Sequence, residues 1–240
     1  MMKRISSIIL ALLLSSTVLA SCGKGGNDTK ETNPAETNAP ETSVTETDVP
    51  ETSESEAAVA DAKATLDALF TPFLDKLAPA FGAENGEEIA GYFTGAMESV
   101  TETDPDSGEE FTYDMPVSGP GVIDINNLEE APFFHYTLLP AEKAELITSA
   151  AIFFNMMNQN NGTFSAFSLK NPADAQDIAD TLKNAITTNM WMCGFPERYL
   201  IVNIDGVIIS AFGLADGTNA LKDAISENYA NAVVIYDDAL

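Results

Sequence analysis

The segment Tyr199–Gly213, YLIVNIDGVIISAFG, restricts the fold more than any other part of this chain. Two runs of Leu, Ile, Val and Phe flank Asp205-Gly206. A two-residue Asp-Gly link takes the left-handed backbone of a tight turn, whose twist suits two antiparallel strands. A helix is disfavoured there, because β-branched residues lose side-chain freedom in it and glycine weakens it.

A second strand pair is predicted upstream, in ELITSAAIFF (145–154) and TFSAFSL (163–169), across the polar loop NMMNQNNG, with a helix over 142–154 as the alternative. Each pair hands over to a helix. KNPADAQDIADTLKNAITTNMWMC (170–193) opens with Asn171 as N-cap, Pro172 at the first helical position and Asp174 in the first turn. DGTNALKDAISEN (216–228) follows the hairpin, and NAVVIYD (231–237) reads as a last strand. The order is strand-strand-helix twice, and SAFSL (165–169) and SAFGL (210–214) end the outgoing strands at an offset of 45 residues. The expected fold class is α+β: an antiparallel sheet of four to five strands with helices on one face and an added N-terminal helical segment.

That helical segment is expected over residues 57–100. Val59, Ala62, Leu66, Leu69, Phe70, Phe73, Leu74, Leu77 and Phe81 form one apolar stripe. Pro72 after Thr71 suggests a break and restart, and EEIAGYFTGAMESV (87–100) is a second amphipathic stretch interrupted by two glycines. Residues 101–130 are expected to be an acidic loop region, and 131–240 to hold the sheet and its helices. Glu102, Asp104 and Asp106 are spaced like the start of a calcium loop. The glycine required one place after the third ligand is replaced by Ser107, and Tyr113 stands where the closing Glu belongs. A solvated acidic loop is the favoured reading, with weak calcium binding as the metal alternative and no other cofactor implied.

Before residue 57 the sequence changes character. Lys3 and Arg4 precede the apolar run ISSIILALLLSSTVLA, which reads as a secretory signal over residues 1–21. From Glu31 onward Glu-Thr recurs every five residues, at 31, 36, 41, 46 and 51, among Pro, Ser, Thr and Asn. Such a sequence has too little apolar surface to offset ordering, so residues 22–56 are expected to be a disordered acidic stem. It would span about 30 Å as a coil and about 110 Å drawn out. The single globular domain is expected over 57–240.

The tetrapeptide LASC, Leu19–Cys22, resembles the lipobox of bacterial lipoproteins. The resemblance implies cleavage before Cys22, lipidation of its thiol, and attachment to the extracytoplasmic face of the cell membrane. Residues 145–229 in turn resemble a bacterial lipoprotein family of unknown function. The NMM after the first strand, the long helix, the FPERY that leads into the hairpin, and the closing helix carry that likeness. The family implies no activity, and residues 57–130 lie outside it.

The formal charge of −26 argues against nucleic-acid partners, since phosphates would be repelled. Adhesion to anionic lipid is disfavoured for the same reason, so membrane attachment would rest on the lipid at Cys22. With Cys22 lipidated, Cys193 is alone and no intramolecular disulfide forms.

Catalytic motifs are sparse. His135 is the only histidine, there is no G-x-S-x-G elbow, and no P-loop or dinucleotide glycine pattern occurs. A Cys193/His135 thiol enzyme and a paired-carboxylate hydrolase remain open. The decapeptide MWMCGFPERY (190–199) holds the only Trp and, at Arg198, one of two arginines. On a helix running to residue 193, Cys193 shares the apolar stripe of Ile178, Leu182 and Ile186 and is expected to be buried. Gly194 would cap that helix. Trp191 falls on the polar side, either covered by the N-terminal helices or exposed as a platform for a ligand or protein partner. Arg198 is expected in a local ion pair or against an anionic ligand, and His135 as a half-buried strand or loop residue. Together these features favour a non-catalytic extracytoplasmic binding or interaction module, with Trp191, Arg198 and His135 as candidate contacts.

Overall fold

The computed structural model describes residues 60–240; the expected signal segment, Cys22 and the Glu-Thr stem lie outside the described residues. The elements are α1 (Ala62–Leu77), β1 (Phe93–Thr103), β2 (Glu110–Ser118), β3 (Gly121–Ile123), β4 (Ile147–Asn155), β5 (Gly162–Leu169), α2 (Ala175–Thr188), β6 (Arg198–Ile204), β7 (Val207–Gly213), α3 (Ala215–Asn228) and β8 (Val233–Ala239). They form an α+β fold around one antiparallel sheet of eight strands, ordered β2-β1-β4-β5-β7-β6-β8, with β3 also paired to β4. The sheet is larger than the four to five strands expected, because 93–123 contributes three strands where helix and loop were anticipated.

The helices lie on both faces of the sheet rather than one. Leu66, Leu69, Phe73 and Leu77 of α1, with Leu221, Ala224 and Ile225 of α3, pack on Phe153, Phe164, Val202 and Ile209. On the opposite face Ile178, Leu182 and Ile186 of α2 meet Ile152, Phe167, Ile201, Ile208 and Phe212. Every residue of β5 and β7 is buried. A strand apolar at successive positions needs cover on each side, and one layer of helices could not supply it.

The two strand-strand-helix units are present as β4-β5-α2 and β6-β7-α3. The repeated SAF segments face one another, with Ser165 paired to Ser210 across β5 and β7. A local twofold through that pair, perpendicular to the sheet, relates the two strands. It would place equivalent helices on the same face, whereas α2 and α3 lie on opposite faces. The internal likeness therefore stops at the strands.

α1 begins at Asp61, whose Oδ1 accepts the Ala64 N–H at 2.9 Å, and it runs through Pro72 without the expected break. An interior proline costs about 3 kcal/mol. Leu66, Leu69, Phe73, Leu74 and Leu77 are all buried, and each contributes about 1.5–3 kcal/mol, so packing wins. Short 3-10 turns follow over 78–81, 86–88 and 90–92, and the expected helix over 87–100 is instead the last two of these turns and the start of β1. Gly95 explains the difference. A Cβ there would lie 1.8 Å from the Ile152 carbonyl oxygen, and one on Gly121 would lie 1.7 Å from the Gly95 oxygen. β1 and β3 cross at this contact. β1 pairs with β4 only at Phe93 and Thr94, then leaves the sheet with β2 while β3 takes over the edge of β4.

α2 ends at Thr188, short of the expected residue 193. Thr187 and Thr188 bond back to the carbonyls of Lys183 and Asn184, and Asn189 turns extended at φ −63°, ψ 142°. Gly194 is therefore no helix cap.

Candidate functional site

Two loops meet at the end of the sheet where β4 finishes and β5 begins. Asn155 Oδ1 accepts the N–H groups of Met157 and Asn158, which tightens the 155–161 loop. Asn158 Nδ2 donates to the Cys193 carbonyl at 2.5 Å, and Asn160 Nδ2 donates to the Met192 and Gly194 carbonyls at 2.8 and 3.2 Å. These amides hold the 189–197 loop in place. Its apolar side chains stay outside: Met190 is 88% exposed, Met192 76% and Phe195 74%, while Met157 on the neighbouring loop is 80% exposed.

Beside the loops lies a cavity of about 470 Å³. Leu77, Phe93 and Phe164 lie at its base, where α1 ends and β1 and β5 begin. Phe81 and Tyr92, ring centroids 5.7 Å apart, line it from the turns after α1. Met157 and Leu214 line the rest of the mouth, with Asn155, Asn161 and Asp216 as the polar groups. Phe81, Tyr92, Met157 and Leu214 are all exposed. The wall is apolar and aromatic with few polar groups, the usual character of a ligand pocket.

The first described residue is at the other end of the molecule. Ser168 Oγ, near the far end of β5, donates to the Ala60 carbonyl at 2.7 Å, and Ser149 Oγ accepts the Ala62 N–H. From there α1 runs about 24 Å to Leu77 at the cavity base.

The residues singled out from sequence fall in different places. Trp191 is half-buried against Phe212, ring centroids 5.1 Å apart. It lies on the α2 face, so its cover is the sheet and not the N-terminal helices. Cys193 is exposed at φ 62°, contrary to the buried position expected, because the helix that would have aimed it inward ends five residues earlier. His135 is exposed rather than half-buried, because the 134–137 turn sends Phe134 and Thr137 inward and His135 out, its ring 4.0 Å from that of Tyr136. Among the described residues Cys193 and His135 share no hydrogen bond, so no dyad is assembled.

Arg198 forms an ion pair, but with a distant partner. Its Nη2 lies 2.5 Å from Asp237 Oδ1, and Lys222 Nζ lies 2.6 Å from Asp237 Oδ2. The Lys222 ammonium, followed by the Arg198 guanidinium, holds the Asp237 carboxyl below the usual carboxylate range. Glu197, the acidic residue beside Arg198 in sequence, instead accepts the Ala215 N–H at the start of α3. Next to Arg198 on β6, burial and the Asp238 carboxylate push the Tyr199 hydroxyl up to about 12.

The acidic residues considered for calcium sit on the β1–β2 hairpin. Glu102 accepts the Tyr113 hydroxyl at 2.7 Å. Asp104 Oδ1 accepts the N–H groups of Ser107 and Asp106, which hold its carboxyl below the usual range. Among the described residues no group of three His, Cys, Asp or Glu side chains is placed to hold a metal ion. Asp216 is the one carboxylate lining the cavity, whereas hydrolysis by paired carboxylates requires two.

Sequence reasoning missed the cavity. The spacing places Phe81 on the core stripe, and Tyr92, Met157 and Leu214 are not among the candidate contacts that the sequence singles out. The usable signal was adjacent methionines in an otherwise polar loop. No protein-family model, curated protein or solved structure matches the chain. No helix among the described residues is long and apolar enough to cross a membrane.

Proposed function

We propose that this chain is a non-catalytic binding module, lipid-anchored through Cys22 on the extracytoplasmic face of the cell membrane, that takes an apolar part of its ligand into the cavity. One observation carries the reading: the aromatic cavity and the exposed methionines of the two joined loops, Met157, Met190 and Met192, share one pole, and Ala60 leaves the domain at the other. A module held by its N-terminus would present that pole outward. Methionine is unbranched and polarisable, so exposed methionines adapt to partners of different shape. Large side chains left in water side by side are the usual mark of an interaction surface.

The experiment is titration of the full chain with N-phenyl-1-naphthylamine, a neutral apolar fluorophore, while the methyl resonances of the methionines and leucines are followed. Saturable binding with shifts confined to Met157, Leu77 and Leu214 is expected. Shifts elsewhere, or no binding, would remove the cavity as the working site. The enzyme alternative is favoured only by the exposure of Cys193, and the absence of a base bonded to that thiol weighs against it.

A further inference from the structure

The structure assigns a second interaction surface, independent of the cavity: the β1–β2 ribbon docks by its apolar face on a protein partner whose surface is basic. Beyond Gly95 the ribbon is a ladder of eight pairs, from Ala96↔Val117 to Thr103↔Glu110, about 27 Å long. Past Thr94 no other strand among the described residues pairs with it, which leaves both of its edges open there. Its departure is built into the fold, because the Gly95–Gly121 crossing leaves no room for β1 to stay on β4.

A two-stranded ribbon alone in water is marginally stable at best. This one has no core of its own, yet one of its faces is written for burial. Alternation puts Ala96, Val100, Phe111, Tyr113, Met115 and Val117 on the same side, with the carboxylates of Glu98 and Glu102 among them. Phe111, Met115 and Val117 are exposed, and the Phe111 and Tyr113 rings stack 5.8 Å apart. The other face is closed by short polar links, Ser99 to Asp114 at 2.6 Å and Thr101 to Thr112 at 2.8 Å. Solubility of an edge would be served by the polar residues alone and does not call for an aromatic stripe.

Charge selects the occupant. Between Glu98 and Asp114 there are seven acidic residues and no Lys or Arg. A second copy of the ribbon would bring like charges together, and anionic lipid would be repelled. A surface of lysines and arginines around an apolar centre satisfies both the stripe and the carboxylates, and such pairing weakens with salt.

The test uses the full chain and three synthetic peptides: an alternating Lys-Val octamer, its Glu-Val counterpart, and octalysine. Backbone amide shifts and amide exchange of residues 96–117 are followed. The Lys-Val octamer is expected to shift this segment, to slow exchange at Thr101 and Thr112 at least about tenfold, and to bind about tenfold more weakly at 0.5 M than at 0.05 M salt. Octalysine should bind more weakly and the Glu-Val octamer not at all. Phe111→Ser/Met115→Ser and Glu109→Gln/Glu110→Gln should each weaken binding at least about fivefold. The first variant also loosens the ribbon; the second leaves the apolar stripe intact and is the independent check. The assignment is overturned by shifts outside 96–117, by equal binding of the Glu-Val octamer, by indifference to the carboxylate variant, or by self-association of the free chain through the ribbon. It is overturned equally if the free ribbon already resists exchange as β5 does.

Discussion

Leu214→Asn separates the stability of the domain from the use of its cavity. Leu214 is the N-cap of α3, at φ −64° and ψ 150°, and 40% of its surface is exposed at the cavity mouth. Around it the Ala215 N–H donates to Glu197, and the Thr218 N–H donates to the Leu214 carbonyl. The Asp216 and Gly217 N–H groups are the first-turn donors left for a capping side chain, and leucine has no acceptor to offer. Asparagine at this position contributes about 1 kcal/mol. The buried three-fifths of the leucine is worth about 1–2 kcal/mol, scaled from the value for full burial. The net change in stability is therefore a loss of about 1 kcal/mol at most. A bound apolar ligand, by contrast, would desolvate the new amide without bonding it, at about 1–2 kcal/mol, which is an affinity loss of about tenfold. Urea unfolding and titration with N-phenyl-1-naphthylamine, run side by side, measure the two quantities. Unchanged affinity would show that the mouth is not part of the binding surface. A stability loss above about 3 kcal/mol would show that the capping argument fails.

Gly95→Ala should destabilise by about 3 kcal/mol or more in the same unfolding assay, because its Cβ meets the Ile152 backbone and neither strand can yield; a loss under 1 kcal/mol would mean the crossing is looser than described. Asp237→Asn should cost about 1–2 kcal/mol at pH 7, where the carboxylate pairs with Lys222 and Arg198. A carboxyl held low in the folded state stabilises fully above its unfolded value, near 3.9, and loses that contribution as pH falls below it. Unfolding measured against pH should therefore show wild type and variant converging in acid, and a constant gap would refute the linkage. Ser165→Ala should leave stability unchanged or raise it by about 1 kcal/mol, since the buried Ser165 hydroxyl has no hydrogen-bond partner among the described residues; a loss of more than 1 kcal/mol would show that the hydroxyl is bonded.

The central hairpin was legible because its evidence was local. Asp205-Gly206 between two β-branched runs leaves few alternatives, and the observed turn has both residues at positive φ. The start of the second helix was legible in part: Asn171 accepts the Ala173 N–H, but it caps a 3-10 turn over Pro172–Asp174, and α2 itself begins at Ala175. What failed was long-range or weakly written. YLIVNI and VIISAF are apolar at successive positions, the pattern of strands covered on both sides, yet that reading competes with a simple half-buried sheet. β1 was mistaken for helix because Gly95 serves a crossing with Gly121, 26 residues away in sequence, which no local pattern reveals. Cys193 fitted the helical stripe by arithmetic alone, and the poor helix formers Thr187, Thr188 and Asn189 outweighed it. The cavity gathers Leu77, Tyr92, Met157 and Leu214 from four separate stretches, so only the assembled sheet could bring them together.

The opposition of the two poles also fixes how the domain would carry a mechanical load. A pull on Ala60 resisted at the cavity runs along α1 and along the strands beneath it, rather than across them. The β4–β5 and β5–β7 ladders are then loaded in shear, with all their hydrogen bonds sharing the force, and α1 must slide lengthwise over Phe153 and Phe164 before anything opens. The ribbon beyond Gly95 is built the opposite way. A sideways pull at its tip loads the pairs nearest the turn first, so it would unzip one pair at a time while the body of the sheet stayed shut.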